Sequence, residues 1–299
     1  MKIIVTGASG WLGREFVSWY LTNVKEAKKE DLILLTSENK SFDIPPYGTF
    51  HSHSLWEFNT SSKVVGFVHL AFILRHRVSE FGKDSFRELN TRITDQAAEL
   101  ISTYNPEWVV NVSSGAIFNK PLFDYSDDYS TNPYGFMKLR EEKVLSAESV
   151  RAGSNIVIGR LWGASGSLMP INRAYALSDF IYTGIKEGKI RLTSNYLVRR
   201  RYGDAGQFMG VLLKHAVSGI TETLNSGGDL IELGDLAKII KNELGNVIVE
   251  RPEIEELEED NYYPHEGRFE DLAEKYAIDL LSLEKQVQRT ISGHKRLLS

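Results

Sequence analysis

The chain opens Lys2-Ile3-Ile4-Val5-Thr6-Gly7-Ala8-Ser9-Gly10-Trp11-Leu12-Gly13-Arg14, and this stretch limits the fold more than any other. Its first residues form a short apolar run of strand type, its glycines are spaced G-x-x-G-x-x-G, and Glu15 to Leu21 carries apolar side chains at helical spacing. Strand, glycine turn and helix follow in that order, the context that such a motif requires. The turn leaves backbone N–H groups at a helix N-terminus, and the missing side chains let a pyrophosphate come close enough to accept from them. The spacing therefore predicts a dinucleotide held by the backbone of Gly7, Ser9, Gly10, Trp11, Leu12 and Gly13.

The chain continues in alternation. Asp31–Ser37 reads as a second buried strand. Residues 41–62 lack periodicity and predict a loop with a short third strand. There His51 and His53 share a strand face but have no third ligand in reach, so no metal site is expected. Val64–Phe72 reads as a central parallel strand leading to a loop with Arg75, His76 and Arg77. Its carboxyl end, with Leu70 and Ala71, should border the cofactor. A helix from about Ser79 to Tyr104 ends at Asn105-Pro106, a strand runs Trp108–Ser114, and a helix opens at Asn132 and runs to about Ala147. This order predicts an α/β fold with a doubly wound, parallel Rossmann-type sheet. From about Leu168 the alternation gives way. Residues 170–187 read as a helix and Lys189–Leu192 as a short strand. The acidic run Glu250–Asp260 reads as a solvated linker, and a last helix should end at Ser292-Gly293.

A net charge of −5 and a pI of about 5.9 give no basic field for nucleic acid or an anionic membrane, so the expected partner is a small molecule. The absence of cysteine excludes disulfides, thiolate metal sites and a cysteine nucleophile, and fits a reducing compartment. The apolar run Val64–Leu74 is too short to span a bilayer, and the first residues lack a signal-peptide pattern. A soluble, cytoplasmic protein is expected.

Two places speak to chemistry. The end of the second strand should meet the adenosine ribose. It carries Thr36 and Ser37, with Lys40 nearby and Arg14 directly after the third glycine. This set favours NADP(H) over NAD(H), because no carboxylate stands at the strand tip to repel a 2′-phosphate. Farther on, Tyr134 and Lys138 lie four apart on one helix face. A phenol with pKa near 10 exchanges protons poorly at neutral pH unless a cation favours its phenolate, and Lys138 is placed to be that cation. Ser114 could hold a substrate oxygen while Tyr134 exchanges its proton.

Thr6-Gly7-x-x-Gly10-x-x-Gly13, Val68-His69-Leu70-Ala71, Ser113-Ser114-Gly115-Ala116, Tyr134-x-x-x-Lys138 and Arg160-Leu161-Trp162-Gly163 occur in an order and spacing that resembles the extended short-chain dehydrogenase/reductases, or NAD-dependent epimerase/dehydratase family. Arg200-Arg201-Tyr202 and Leu233–Ile240 extend the resemblance over nearly the whole chain. It implies a dinucleotide-binding domain at 1–165, to which about 193–225 returns, and a smaller α/β substrate lobe within 166–299. It also implies that Tyr134 is the general acid/base, that Lys138 lowers its pKa and holds the nicotinamide ribose, that Ser114 orients the substrate, and that Arg200 contacts a nucleoside diphosphate. The chain departs from the family pattern at Phe72, at Phe118-Asn119 and at Gln207. After Ser114, Gly115-Ala116 replaces the Asp-Glu pair of the 4,6-dehydratases, which disfavours that activity.

The activity implied is an NADP(H)-preferring oxidoreductase or epimerase on a nucleotide-linked sugar, with a 4-keto-sugar reductase ahead of an epimerase. A reductase of a non-nucleotide carbonyl compound and a non-catalytic NADP(H) sensor are the alternatives. Family analogy suggests a homodimer.

Overall fold

A computed structural model describes residues 1–119, 124–125, 127–255, 259–264 and 267–299. In chain order its elements are β1 (Lys2–Thr6), α1 (Trp11–Asn23), β2 (Leu32–Thr36), β3 (Lys40–Ile44), β4 (Gly48–Ser54), β5 (Val64–His69), α2 (Val78–Phe81), α3 (Lys83–Tyr104), β6 (Trp108–Ser114), β7 (Phe118–Asn119), β8 (Asp124–Tyr125), α4 (Pro133–Ala152) and β9 (Asn155–Leu161). They continue with β10 (Gly163–Ser165), α5 (Ala176–Glu187), β11 (Lys189–Arg191), β12 (Leu197–Asp204), α6 (Ala205–Val217), β13 (Glu222–Asn225), β14 (Asp229–Glu232), α7 (Leu233–Leu244), β15 (Ile248–Glu250), β16 (Glu259–Tyr262), α8 (Arg268–Lys275) and α9 (Leu283–Leu298). Two compact units result: 1–161 with 209–225, and 162–208 with 226–299. The segment that rejoins the first unit is thus shorter than 193–225, because 197–204 is a strand of the second.

The first unit is built on an eight-stranded sheet in the order β13-β9-β6-β5-β1-β2-β4-β3. Every neighbouring pair is parallel except β3 with β4. With helices on both sides this is the doubly wound, Rossmann-like arrangement. Ile4, Phe67, Val109 and Ile158 pack with Ala97, Leu100 and Ile101 of α3 and Leu145 of α4 into one apolar cluster. Strands covered on both faces read as continuous apolar runs, which is why β1, β5 and β6 were legible from sequence. The region expected to be a loop with one short strand holds the β3–β4 hairpin instead. His51 and His53 lie on β4, the first at 2.8 Å from the Ser41 hydroxyl and the second with its ring against Phe58.

In the second unit β12 pairs with β10, β14 and β16, and β11 pairs with β15. The acidic run is therefore no free linker at its described ends: Glu250 belongs to β15, and Glu259 and Asp260 to β16. Glu256, Leu257 and Glu258 lie outside the described residues. The last helix runs through Ser292-Gly293 to Leu298, and Gly293 serves close packing, since a Cβ there would stand 2.2 Å from the Ser167 carbonyl oxygen. Asp204 accepts at 3.0 Å from Gln207 N and so fixes the first turn of α6, the geometry that glutamine at 207 put in question.

Glu232, at the start of α7, receives both Arg251 Nη atoms (2.7 and 2.9 Å) and the Gly234 and Val198 N–H groups. Burial alone would raise its carboxyl, but these donors together hold it below the ordinary glutamate value. A depressed acid contributes stability above its unfolded pKa of about 4.3 and loses it as pH falls through the folded value. Glu232→Gln is expected to lower Tm most near pH 7, with the gap to wild type closing below about pH 4. A gap independent of pH would contradict this account.

Candidate active site

The site builds up from the glycine turn. Gly7 has φ +67°, and a Cβ on it would stand 2.6 Å from Leu70 C and 2.7 Å from Ala71 N, so it must be glycine for two separate reasons. Gly10 is exposed, caps α1 without a side chain, and would place a Cβ 3.1 Å from the Gly7 carbonyl oxygen. It leaves the first amides of α1 open to an anion. Ser9, Trp11 and Leu12 flank it, half-buried, and Gly13 is buried. Arg14 is half-buried, burial lowers its pKa, and its Nε has no hydrogen-bond partner among the described residues. A group of pyrophosphate type fits this cradle.

The strand-tip residues divide. Thr36 is buried, donates to Glu38 O at 2.6 Å and lies 2.7 Å from Ser52 Oγ, so its hydroxyl is used inside the sheet. Ser37 is exposed. Glu38, also exposed and 4.0 Å from Lys40 Nζ, is a carboxylate just beyond the strand that the reading of Thr36 and Ser37 passed over.

Leu70 N and Ala71 N, at 3.1 and 3.3 Å, both donate to Thr6 Oγ1. The hydroxyl therefore has its own proton for His69 Nδ1, 2.8 Å away, which leaves the ring proton on Nε2, 3.4 Å from Glu141 Oε2. Thr6, His69 and Glu141 are fully buried.

Helix α4 starts where the chemistry needs it. Asn132 Oδ1 accepts from Gly135 N at 3.0 Å, and its Nδ2 donates to Ala116 O at 2.8 Å, which ties the helix start to the turn after β6. Pro133 stands in the first turn. Ser114 ends β6 and accepts from Ala116 N at 3.1 Å, and its hydroxyl favours the charged form of Tyr134. Arg160 of β9 holds the outer side of α4 by two bonds to Glu142, at 3.0 and 2.8 Å. Phe118 stacks on Tyr125, with ring centroids 5.2 Å apart.

Tyr134 and Lys138 meet on the Phe72 ring rather than on each other. Burial pushes the Tyr134 phenol up to about 12; the Ser114 hydroxyl and the Arg75 charge oppose this, and the Glu141 charge adds to it. Lys138 is buried, with its Nζ 2.9 Å from Val112 O, 2.8 Å from Glu141 Oε1 and 3.9 Å above the Phe72 ring. Phe72 in turn meets Tyr134 edge-on, with centroids 5.6 Å apart. Glu141, His69, Thr6 and Phe72 went unassigned in the sequence. Glu141 lies three residues past Lys138 and seven past Tyr134, on the same helix face, and that spacing was its signal.

In the second unit Arg200 is paired: Nη2 lies 2.7 Å from Asp260 Oδ2, and Nη1 2.8 Å from Asp260 O and from Arg199 O. Among the described residues no cluster of three or more metal-ligating side chains forms, and no helix is long and apolar enough to cross a membrane.

A parallel doubly wound sheet with a glycine turn after its first strand defines the Rossmann-like class of folds. The model of the NAD dependent epimerase/dehydratase family matches residues 3–222, and the chain belongs to that family. The UDP-glucose 4-epimerase of Lacticaseibacillus casei is 27% identical over 184 residues, 56% of this chain and 53% of the relative. The chain thus spans about half the length of that curated relative. In fold it is similar to the UDP-N-acetylglucosamine 4-epimerase of Bacillus cereus (TM-score 0.74, 20% identity, 100% of this chain and 98% of that one). It is equally similar to MoeE5 in complex with UDP-glucose and NAD (TM-score 0.74, 16% identity, 100% of both chains).

Proposed function

We propose that the protein exchanges a hydride between a nicotinamide cofactor and a carbon of a nucleoside diphosphate sugar, as a 4-keto-sugar reductase or a 4-epimerase, with Ser114, Tyr134 and Lys138 as its working residues. The observation that carries this reading is the packing of Tyr134 and Lys138 against one ring, Phe72, within the unit that holds the glycine turn. A dinucleotide sensor would have no use for a proton donor fixed in this way.

The cofactor, when bound, supplies the hydride. Gly7, Gly10 and the first amides of α1 hold its pyrophosphate. Ser114 donates to or accepts from the substrate oxygen, and the Tyr134 hydroxyl gives that oxygen a proton on reduction and takes one back on oxidation. Lys138, on the same helix face, would hold the nicotinamide ribose. The turn after Ser114 is Gly115–Ile117 and brings no carboxylate for elimination, which supports reduction or epimerisation over dehydration. The relative from Lacticaseibacillus casei supports the epimerase branch. An anion that binds Arg200 competes with the Asp260 carboxylate. Arg14, Ser37 and Lys40 support NADP(H); Glu38 acts against a 2′-phosphate.

Incubation with UDP-, dTDP-, GDP- and CDP-linked sugars and keto-sugars tests the reading. A reductase consumes reduced cofactor one for one, whereas an epimerase interconverts sugars with no net change in cofactor. No turnover and no affinity for any of the nucleotides would favour a non-nucleotide carbonyl substrate. In the same series, Arg14→Ala is expected to weaken NADPH binding about tenfold or more, as loss of a charged hydrogen bond of about 1.5–3 kcal/mol implies. NADH binding should change little. Equal losses for both cofactors would remove Arg14 as the selector.

A further inference from the structure

Inside the first unit a buried carboxylate contacts Lys138 and has no part in the chemistry just described. Glu141 is fully buried on α4, one turn past Lys138 and two turns past Tyr134. Its Oε1 receives Lys138 Nζ at 2.8 Å and its Oε2 faces His69 Nε2 at 3.4 Å. His69 is fixed by Thr6, whose hydroxyl is itself fixed by the Leu70 and Ala71 amides over Gly7. The line of contacts therefore runs from the glycine turn to the ammonium of Lys138.

A buried carboxylate is costly unless paired: Oε1 is hydrogen-bonded by Lys138, while Oε2 stands 3.4 Å from His69 Nε2 without a hydrogen bond. Burial would raise the Glu141 carboxyl, but Lys138 and His69 together hold it low, so it carries its charge at neutral pH. That charge has two consequences. It holds the Lys138 ammonium against Glu141, Val112 O and the Phe72 face, and it opposes a negative charge on Tyr134. Resting on the role proposed for Tyr134, we infer that Glu141 is a positioning residue: as the counter-ion of Lys138 it keeps Tyr134 protonated, so that the resting site is poised as a proton donor.

The charged and titratable groups around Tyr134 are few. On α4 they are Lys138 and Glu141; from β5 there is His69; and Arg75, from the loop after β5, acts on Tyr134. Arg140 with Asp95 of α3, and Glu142 with Arg160 of β9, pair with each other elsewhere on the helix.

The test needs no cofactor. Tyrosine ionisation is followed by phenolate absorbance from pH 7 to 12.5 in wild type and in Glu141→Gln. The Tyr134 contribution is isolated by subtracting Tyr134→Phe in each background. Glu141→Gln keeps the shape and leaves Lys138 uncompensated, so the Tyr134 midpoint is expected to fall by about one unit or more, as for an acid beside an unbalanced cation. Glu141→Asp, which restores the charge, should return it most of the way. An unmoved midpoint in a folded Glu141→Gln protein would overturn the inference, as would a fall that Glu141→Asp does not reverse. Should Glu141→Gln not fold, a carbon-13 titration of the Glu141 carboxyl in wild type decides. An ionised group at pH 7 supports the counter-ion role, and a protonated one refutes it. Because these readouts precede turnover, they stand or fall apart from the assays of the proposed activity.

Discussion

Tyr134→Phe is expected to reduce turnover by about 10²–10⁴-fold, the range for loss of a positioned general acid. Only an oxygen is removed. The ring keeps its edge contact with Phe72, and the start of α4 keeps the Asn132 cap, so fold and cofactor affinity should survive. Steady-state kinetics on the substrate found in the nucleotide-sugar series, set beside a fluorescence titration of cofactor binding, separates the two. The barrier should rise by about 3–5 kcal/mol with cofactor Kd within a factor of two of wild type. Retention of full turnover would mean that another group donates the proton.

The glycine turn carries the second large effect, and its glycines should not behave alike. Gly7→Ala sets a Cβ against the Leu70 and Ala71 backbone in a left-handed conformation, and neither strand can move without breaking the Thr6 contacts. The backbone conformation alone costs about 1–2 kcal/mol. At about 2–4 °C per kcal/mol this lowers Tm by roughly 2–8 °C before any collision is counted, and cofactor binding should be lost. Gly10→Ala faces only the Gly7 carbonyl oxygen at 3.1 Å, on an exposed position with extended backbone. It should leave Tm nearly unchanged and still weaken cofactor binding, because its methyl group lies where a phosphate approaches. Calorimetry and cofactor titration on the two variants would show the split, and equal effects on Tm would argue that Gly10 is also structural.

What could be read from the residues follows from where burial is two-sided. Strands β1, β5 and β6 lie inside the sheet and announce themselves as apolar runs, while the β3–β4 hairpin at its margin does not, because residues such as Ser41, Asp43, His51 and His53 face solvent. Tyr134 and Lys138 were legible as a pair because helical spacing is local. Their dependence on Glu141 and His69 was not, since a carboxylate on a helix is ordinarily solvated and only the fold shows that this one faces the sheet. Thr36 reads as a hydroxyl facing the cofactor ribose and is a sheet hydroxyl, held by Ser52 from sixteen residues away. Gly293 looked like a helix stop and is a contact point for the backbone at Ser167. For Thr36 and Gly293 the deciding partner is distant in sequence.

The antiparallel strand β3 bears on how the protein behaves in a crowded solution. A parallel sheet that stopped at β4 would end in a row of unpaired amides and carbonyls, an invitation to other chains. The hairpin supplies instead a five-residue border strand with Lys40 and Asp43 along it and Pro45-Pro46 directly after it. Short length, mixed charge and residues without an amide proton make a poor template for strand addition. This sheet ends in a margin that resists intermolecular pairing.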